Sequence, residues 1–295
     1  MKAPEYMPGF SPLPDYACLI ASGEDATSFL QGQLSSDLLS PAARLGQLSS
    51  LSTAKGRVIA MPRLKRDESD IHLVLPAGLA ARVRDHLRRF TLRARVEISL
   101  APQARIFGLS ADQETLAMVA QKMLLISLPG PSGLAMAVDF EDSSEPPAAL
   151  RGWHHSARDE WEWTEIRAGL PEVTDATSER FVAQMINLDL LDGISFSKGC
   201  YVGQEIIARA QHLGRIKRRM GLFRYAQAVA SPGDPVFDGD RQVGTVVRAV
   251  TVDAAQSLLL ASVPLAASAP GLVADGAPLE RIPLPYAIPA DRVAS

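Results

Sequence analysis

The first third of the chain alternates short apolar runs with segments whose apolar residues recur at helical spacing. Residues 22–31 predict a helix, because acidic side chains occupy the first turn and Gly32 stands where a helix would stop. Two apolar runs, residues 56–63 and 71–75, flank a charged turn and predict a hairpin. An amphipathic helix follows from Leu79, and residues 95–100 predict the strand that closes this unit.

The middle of the chain predicts a surface loop and a helix. Residues 141–147 are acidic and contain two prolines, which neither continue a helix nor donate to a sheet. Residues 178–191 carry a helical apolar stripe, and Gly193 ends it. We therefore expect a loop in the first segment and one helix in the second.

The last part of the chain is a series of short runs that favour β-structure. Residues 221–225, 235–237, 242–250 and 257–263 are separated by Pro-Gly, Asp-Gly-Asp and Asp-Ala-Ala breaks. This spacing predicts a small all-β unit, a barrel. Because 295 residues exceed the usual size of one domain, two or three compact units are expected.

Composition and charge narrow the class of protein. The net charge of −3 gives no global attraction to nucleic acid or to an anionic membrane. The apolar stretch at residues 258–267 is far shorter than the ~20 residues of a membrane-spanning helix. The two cysteines are too few for a disulfide scaffold, and the start of the chain lacks a leader pattern. We therefore expect a cytoplasmic protein without a membrane partner.

Several common sites are excluded by inspection of the sequence. The chain has no G-x-G-x-x-G after a strand, no P-loop, no G-x-S-x-G elbow and no His-Glu-x-x-His motif. Two distant cysteines cannot hold an iron–sulfur cluster. His154 and His155 are adjacent and would point to opposite faces of a strand. No metal site is expected.

Cys200 stands apart from Cys18 because of its neighbours. It follows Lys198 and precedes a predicted helical run in which Glu205 and Arg209 have i,i+4 spacing. A helix N-terminus and an ammonium group both stabilise a thiolate, so this pattern favours a reactive thiol. The alternative, a buried and inert cysteine, is the interpretation that we give to Cys18.

Residues 198–205 read K-G-C-Y-V-G-Q-E, and this string resembles the signature of the YgfZ family. Further segments are similar to the family pattern: residues 29–37, 55–58, 167–171, 187–189, 193–196 and 214–219. The resemblance covers most of the chain and is weakest between about residues 99 and 153.

The resemblance implies an α+β fold of the aminomethyltransferase type. Two α+β subdomains and a C-terminal β-barrel would surround a central channel that holds folate. The expected boundaries are residues 1–215 for the folate-binding region, with one subdomain inserted at roughly 45–100, and residues 216–295 for the barrel. The implied cofactor is tetrahydrofolate or a one-carbon derivative.

The resemblance also implies a set of site residues. Cys200 and Lys198 would carry the chemistry of the motif. The residues expected to bind folate are Asp37, Glu165, Arg167, Tyr201, Gln204, Glu205, Arg209 and Arg215. A pterin favours a carboxylate or amide on its donor edge and an aromatic ring on its face, and a glutamate tail favours arginine or lysine. Each side chain also has a plain interpretation: Asp37 as a turn former, Tyr201 as core and the arginines as solvated residues.

The function implied is support for the assembly or repair of iron–sulfur enzymes, including those that modify tRNA. Client or assembly proteins would be the partners, and the chain would be an accessory factor rather than an enzyme. The alternatives are a folate-dependent aminomethyl transferase of the glycine-cleavage type and a binding module that uses the channel for another ligand. The chain departs from those transferases at residues 75–78, which read L-P-A-G where they carry an Asn-Ala-like turn. A strip of arginines from Arg82 to Arg95 is interpreted as a solvated helix face, so nucleic acid is an unlikely partner.

Overall fold

Helices and sheets are mixed along the chain in the computed structural model, which describes residues 8–68, 70–130, 133–212, 216–226, 230–253, 256–267 and 271–289. The α-helices are α1 (Ala26–Gln31), α2 (Ala77–Thr91), α3 (Gln113–Ala120), α4 (Arg158–Arg167) and α5 (Gln204–His212). Single turns of 3-10 helix lie at Pro41–Arg44, Ala148–Leu150, Ala183–Ile186 and Leu188–Leu190.

The strands form two α+β layers and a barrel. In chain order they are β1 (Gly9–Pro12), β2 (Tyr16–Ser22), β3 (Gln47–Leu48), β4 (Leu51–Ser52), β5 (Val58–Ala60), β6 (Arg63–Arg66), β7 (Ile71–Pro76), β8 (Glu97–Leu100), β9 (Arg105–Ser110), β10 (Leu124–Ser127), β11 (Leu134–Asp139), β12 (His154–His155), β13 (Arg218–Tyr225), β14 (Pro235–Asp238), β15 (Arg241–Asp253), β16 (Gln256–Pro264), β17 (Leu272–Ala274), β18 (Ala277–Pro278) and β19 (Glu280–Ile282).

The first sheet has the order β3-β6-β7-β2-β8, and a hairpin joins β6 to β7. The predicted first arm at residues 56–63 is wrong in its bounds, because its strand is β5, which pairs with β4 in a separate sheet, and the strand that pairs with β7 runs from Arg63 into the charged segment as far as Arg66. Helix α2 covers the first sheet with Leu79, Val83 and Leu87, all fully or almost fully buried, because these residues share one face at helical spacing. The predicted strand at residues 95–100 is β8, and it closes the sheet against β2. The amphipathic pattern therefore identified this unit correctly.

The second sheet, β10-β11-β9-β1-β12, takes its three strands β9, β10 and β11 from the region of weakest resemblance, residues 99–153, and β1 and β12 from either side of it. The third sheet, β18-β17-β14-β15-β16-β13-β19, curls into a nearly closed barrel. Its four long strands match the four runs read from the sequence, and β17, β18 and β19 are short additions that the pattern did not reveal. The α+β class with a C-terminal barrel is confirmed.

The predicted single helix at residues 178–191 is wrong. Two 3-10 turns occupy this segment and meet at Asn187, which has a left-handed backbone with φ of 59°. The Asn187 side chain donates to the carbonyl of Met220 at 2.8 Å and accepts from its amide at 3.2 Å. This amide pair fastens the segment to β13 and replaces the hydrogen bonds that a continuous helix would make.

A buried cluster of charges joins the first sheet, α4 and the barrel. Arg63 on β6 and Arg248 on β15 both contact Glu165 on α4, at 2.8 and 3.0 Å, and all three side chains are at most 1% exposed. Arg63 also pairs with Glu172 at 2.8 Å, and the Tyr16 hydroxyl donates to the same carboxylate. The charges therefore compensate one another where three parts of the chain meet.

No helix in the described ranges is long and apolar enough to cross a membrane.

Candidate functional site

The motif segment is anchored to the loop after α1 by its lysine. Lys198 Nζ donates to the carbonyl oxygens of Leu34 and Ser36, each at 2.8 Å, and lies 5.1 Å from the centre of the Tyr201 ring. A cation beside two carbonyls and an aromatic face is electrostatically favoured. Lys198 thus ties residues 198–201 to the segment at residues 34–36, 162 to 164 positions earlier in the chain.

Burial lowers the pKa of Lys198 to about 8, although the nearby charge of Asp37 opposes this effect. Asp37 itself is half-buried, and its Oδ1 accepts from Gln31 and from the amide of Leu39. The charges of Lys198 and Asp37, which the sequence assigned to separate roles, therefore interact at the motif.

A second contact depends on two glycines. Gly203 has φ of 83°, and a Cβ atom there would lie 2.7 Å from the carbonyl oxygen of Thr53. Gly56 has φ of 69°, and a Cβ atom there would lie 2.8 Å from Cβ of Ile206. Because side chains at both positions would separate the segments, glycine is required for the close approach. The K-G-R segment at residues 55–57 therefore packs directly on the start of α5.

Serine side chains complete the junction. Ser35 Oγ donates to the carbonyl of Gly193 at 2.6 Å and accepts from the amide of Ser50 at 2.8 Å. The amide of Ser195 donates to the carbonyl of Ser35 at 2.9 Å. Three segments that are distant in sequence, at residues 32–37, 49–56 and 193–206, thus form one site.

Cys200 is exposed and free, whereas Cys18 is buried. Helix α5 begins at Gln204, so three residues separate the thiol from the helix that was expected to follow it directly. Burial raises the pKa of Cys18 to about 12, which keeps that thiol protonated at neutral pH. Of the two thiols, only Cys200 is accessible to a partner.

Tyr201 is the most buried of the predicted folate-binding residues at the motif. The residue is 7% exposed, and burial raises its pKa to about 12. Its hydroxyl has no hydrogen-bond partner among the described residues. Polar atoms in this situation call for a bound group to pair with them.

The other predicted residues divide into two groups. Gln204 is half-buried at the start of α5, while Glu205 and Arg209 are exposed on the same helix. Arg167 is exposed at the end of α4. Glu165 contacts Arg63 and Arg248 rather than the motif, and Arg215 lies outside the described residues.

A cavity of about 400 Å³ lies away from the motif, between β1, β9 and the loop at residues 143–146. Its walls are mainly apolar and aromatic and include Phe10, Leu13 and Phe107. None of the motif residues lines it, so we do not assign the folate site to this cavity. In the described part of the chain, no three His, Cys, Asp or Glu side chains are grouped to hold a metal ion.

The sequence did not single out two polar residues close to the motif in the chain or in space: Gln33, which follows the Gly32 carbonyl that accepts from Val202, and Ser52, whose Cβ lies close to Gly203. Both carry a buried polar atom without a partner among the residues described. The available signal was the run of serines at residues 49, 50 and 52 among β-prone apolar residues. The register that brings them against residues 33–36 is visible only in the fold.

Comparison with known proteins identifies relatives over most of the chain. The chain is 30% identical over 266 residues to an uncharacterized protein of Haemophilus influenzae, covering 84% of this chain and 86% of the relative. It is 29% identical over 270 residues to the tRNA-modifying protein YgfZ of Klebsiella pneumoniae, and the match covers 84% of this chain and 82% of that relative. No family model matches the chain.

A solved structure shares the fold. The aminomethyltransferase T of the glycine cleavage system from Bartonella henselae superposes with a TM-score of 0.63 and 14% sequence identity, covering 94% of this chain and 85% of that chain. This likeness confirms the aminomethyltransferase-like architecture.

Proposed function

The chain belongs to the YgfZ family of tRNA-modifying proteins, and from this premise we propose that it is a tetrahydrofolate-binding factor for iron–sulfur enzymes. Its clients would include enzymes that modify tRNA, and the K-G-C-Y-V-G-Q-E segment would carry the function in the cytoplasm. The observation that carries the proposal is the junction itself: the motif packs on two distant segments, and within it the exposed Cys200 directly precedes Tyr201, whose buried hydroxyl has no partner among the described residues.

The residues at the motif fit a reduced folate in chemical type. The Tyr201 ring offers an aromatic surface and its hydroxyl lacks a partner within the described chain. The Asp37 carboxylate uses Oδ1 in both of its described hydrogen bonds, which leaves Oδ2 as an acceptor for a donor edge. When bound, tetrahydrofolate supplies a carrier for one-carbon units.

The remaining residues are assigned by charge and position. Arg209, with Arg167 and Arg215, would meet the carboxylates of the glutamate tail. Gln204 and Glu205, which end the motif and begin α5, would contact the folate from the start of this helix. Glu165 would act from the buried charge cluster, because both of its carboxylate oxygens already contact arginines.

Cys200 would act as the thiol that meets a client or assembly protein. Its exposure allows a partner to approach, and Lys198 holds the loop that presents it. Under this proposal the protein is an accessory factor. Its binding of folate and its presentation of the Cys200 thiol matter more than the turnover of a substrate.

Calorimetric titration tests folate binding. We expect saturable heat from tetrahydrofolate below ~1 mM ligand. Tyr201→Phe should weaken binding by about fivefold or more, because the ligand loses its hydroxyl partner. Tyr225→Phe, which removes a barrel hydroxyl next to Thr251, serves as the matched control and should bind as the parent does. Absence of binding at millimolar ligand would remove the folate proposal.

The second candidate function is aminomethyl transfer, which the shared transferase fold favours. The turn after β7 argues against it. Here α2 begins at Ala77, and a Cβ atom on Gly78 would overlap the carboxylate of Asp175, so an acidic side chain closes the turn.

We expect no methylene transfer from an aminomethyl-lipoyl donor in a reconstituted glycine cleavage assay, because the polar turn of the transferases is replaced at Pro76. A matched reaction with a genuine T-protein supplies the positive control. Turnover of about 1 per second or faster by this protein would place the transferase function first.

A further inference from the structure

The cavity of about 400 Å³ between β1, β9 and the loop at residues 141–147 is apolar where it is deepest. The buried part of its wall, which we call the floor, consists of residues that are each at most 5% exposed: Phe10, Leu13, Tyr16, Ile106 and Phe107. An apolar cavity of about 150 Å³ is enough to hold benzene inside a protein. This larger cavity therefore has room for a fused ring system such as an indole.

Three aromatic rings in the wall are arranged edge to face. The ring centres of Phe10 and Phe107 lie 6.2 Å apart with their planes at 61°, and the His155 ring lies 5.2 Å from Phe10 at 62°. Aromatic rings attract one another in this geometry because the edge of one ring is positive and the face of the other is negative. A further ring in the cavity would meet both edges and faces, so the wall favours an aromatic occupant.

The permanent positive charge in the wall belongs to Arg105, and it already has a counterion. The Arg105 guanidinium forms an ion pair with the Asp139 carboxylate and donates to the carbonyl oxygen of Glu145 at 2.6 Å. The same group lies 5.7 Å from the centre of the Phe107 ring. Arg105 thus ties the loop to β9, and an anionic occupant would have to compete with Asp139 for its charge.

The rim of the cavity is acidic. Residues 143, 144 and 146 line the cavity, and the loop to which they belong carries the exposed side chains of Glu141, Asp142 and Glu145. Residues 141–147 contain no lysine, arginine or histidine. Three carboxylates within seven residues produce a negative local potential, which attracts cations and repels anions.

Prolines make the rim rigid. Pro12, Pro14 and Pro146 line the cavity and are exposed. Because the proline ring fixes φ, these positions have less backbone freedom to lose when a partner binds. The mouth of the cavity is therefore formed before an occupant arrives.

We propose that this cavity docks a segment of a partner protein in which one large aromatic side chain is flanked by lysine or arginine. An apolar pocket inside a polar rim is the arrangement that holds anchor residues at protein interfaces. Small-molecule sites instead orient their ligand with polar groups inside the pocket. Here the Arg105 guanidinium and the Tyr16 hydroxyl are paired with the protein's own carboxylates. No motif residue lines the cavity, so the inference does not depend on folate binding.

Calorimetric titration of the full-length protein with short, end-blocked peptides tests the proposal. A lysine–tryptophan–lysine peptide should bind with a Kd below ~1 mM. Replacing its tryptophan by alanine should weaken binding about tenfold or more, because the anchor is lost. Replacing both lysines by glutamate should weaken binding about fivefold or more at low ionic strength, and about 0.5 M sodium chloride should reduce that difference.

A variant that fills the mouth localises the binding. Ser144→Trp places a large side chain at an exposed position of the rim, so it should weaken peptide binding about tenfold while the Tm stays near that of the parent. Ser28→Trp is the matched control. Ser28 is an exposed serine on α1 that does not line the cavity, and this variant should bind the peptide as the parent does.

A second variant tests the rim charge. The double change Glu141→Gln and Asp142→Asn should weaken the lysine-flanked peptide roughly threefold at low ionic strength and bring the glutamate-flanked peptide closer to it. The double change Asp238→Asn and Asp240→Asn removes the same charge at the turn between β14 and β15, and it should leave the affinity unchanged.

Three results would overturn the proposal. A parent protein that binds none of the peptides removes the docking site and leaves the folate titration unaffected. Parent-like affinity in both Ser144→Trp and the Glu141–Asp142 double variant would place the peptide elsewhere. Tighter binding of free tryptamine than of the peptide would assign the cavity to a small aromatic amine rather than to a protein segment.

Discussion

Replacing Glu165 by alanine is expected to lower the free energy of unfolding by about 3–5 kcal/mol, because it leaves the buried guanidinium groups of Arg63 and Arg248 without their shared carboxylate. Burial alone would raise the pKa of Glu165, but Arg248 and Arg63 outweigh it and lower the pKa below the usual 4.5. A carboxylate with a lowered pKa stabilises the fold fully above pH ~4.5 and loses its effect as the pH falls further. Urea denaturation at pH 7, followed by circular dichroism, therefore measures the whole contribution.

Glu160→Ala is the matched control for this experiment. Glu160 lies on the same helix but is exposed, so its loss should cost about 1 kcal/mol or less. Glu165→Gln keeps the shape and some hydrogen bonds and should fall between the two. If Glu165→Ala were no less stable than Glu160→Ala, the cluster would not hold the units together.

Replacing Cys200 by alanine is expected to abolish function without unfolding the protein. The thiol is exposed, so the loss of stability should be about 1 kcal/mol or less. In a deletion strain that expresses the variant, the activity of iron–sulfur enzymes should fall to the level of the strain without the protein. The reason is that Cys200 is the accessible thiol of the pair.

Cys18→Ala controls for the loss of any thiol. Cys18 is fully buried on β2, and its raised pKa keeps it unreactive, so this variant should complement like the parent. Alkylation by iodoacetamide at pH 8 should modify Cys200 in the folded protein and spare Cys18. If Cys200→Ala complements as well as the parent does, the motif is a packing and folate-shaping turn, and Lys198 and Tyr201 carry the function instead.

Local patterns were enough to predict the elements that pack one face on a sheet. Helix α2 follows from its apolar spacing and is found, and the charged segment correctly indicated a chain reversal before β7, although the partner strand β6 begins only at Arg63. The segment at residues 178–191 was misread because its apolar stripe has helical spacing, while its conformation is decided by Asn187. The hydrogen bonds of Asn187 to Met220 span 33 residues, and no local pattern encodes them.

In the candidate site, too, some residues could be predicted from local sequence, while their contacts with distant segments could not. The motif string pointed to Lys198, Cys200 and Tyr201, and the structure places them together with the loop at residues 34–37. The segments at residues 29–37 and 55–58 were each recognised as similar to the family pattern, but not as neighbours of the motif. The contact of residues 55–57 with the motif depends on Gly56 and Gly203. The contact between Ser35 and Ser50 could not be predicted, because polar residues that are distant in sequence meet only once the register between their segments is fixed.

The position of Arg248 has a consequence for modularity. The barrel follows α5 as one continuous stretch of the chain, as an independently transferable domain would. Arg248 lies inside that unit, yet its carboxylate partners, Glu162 and Glu165, belong to α4. A cut between α5 and β13 would separate Arg248 from both carboxylates and leave Glu165 with Arg63 as its remaining arginine contact. The barrel therefore depends on α4 for the counterions of Arg248, and gene fusions or domain exchanges in this architecture have to include both.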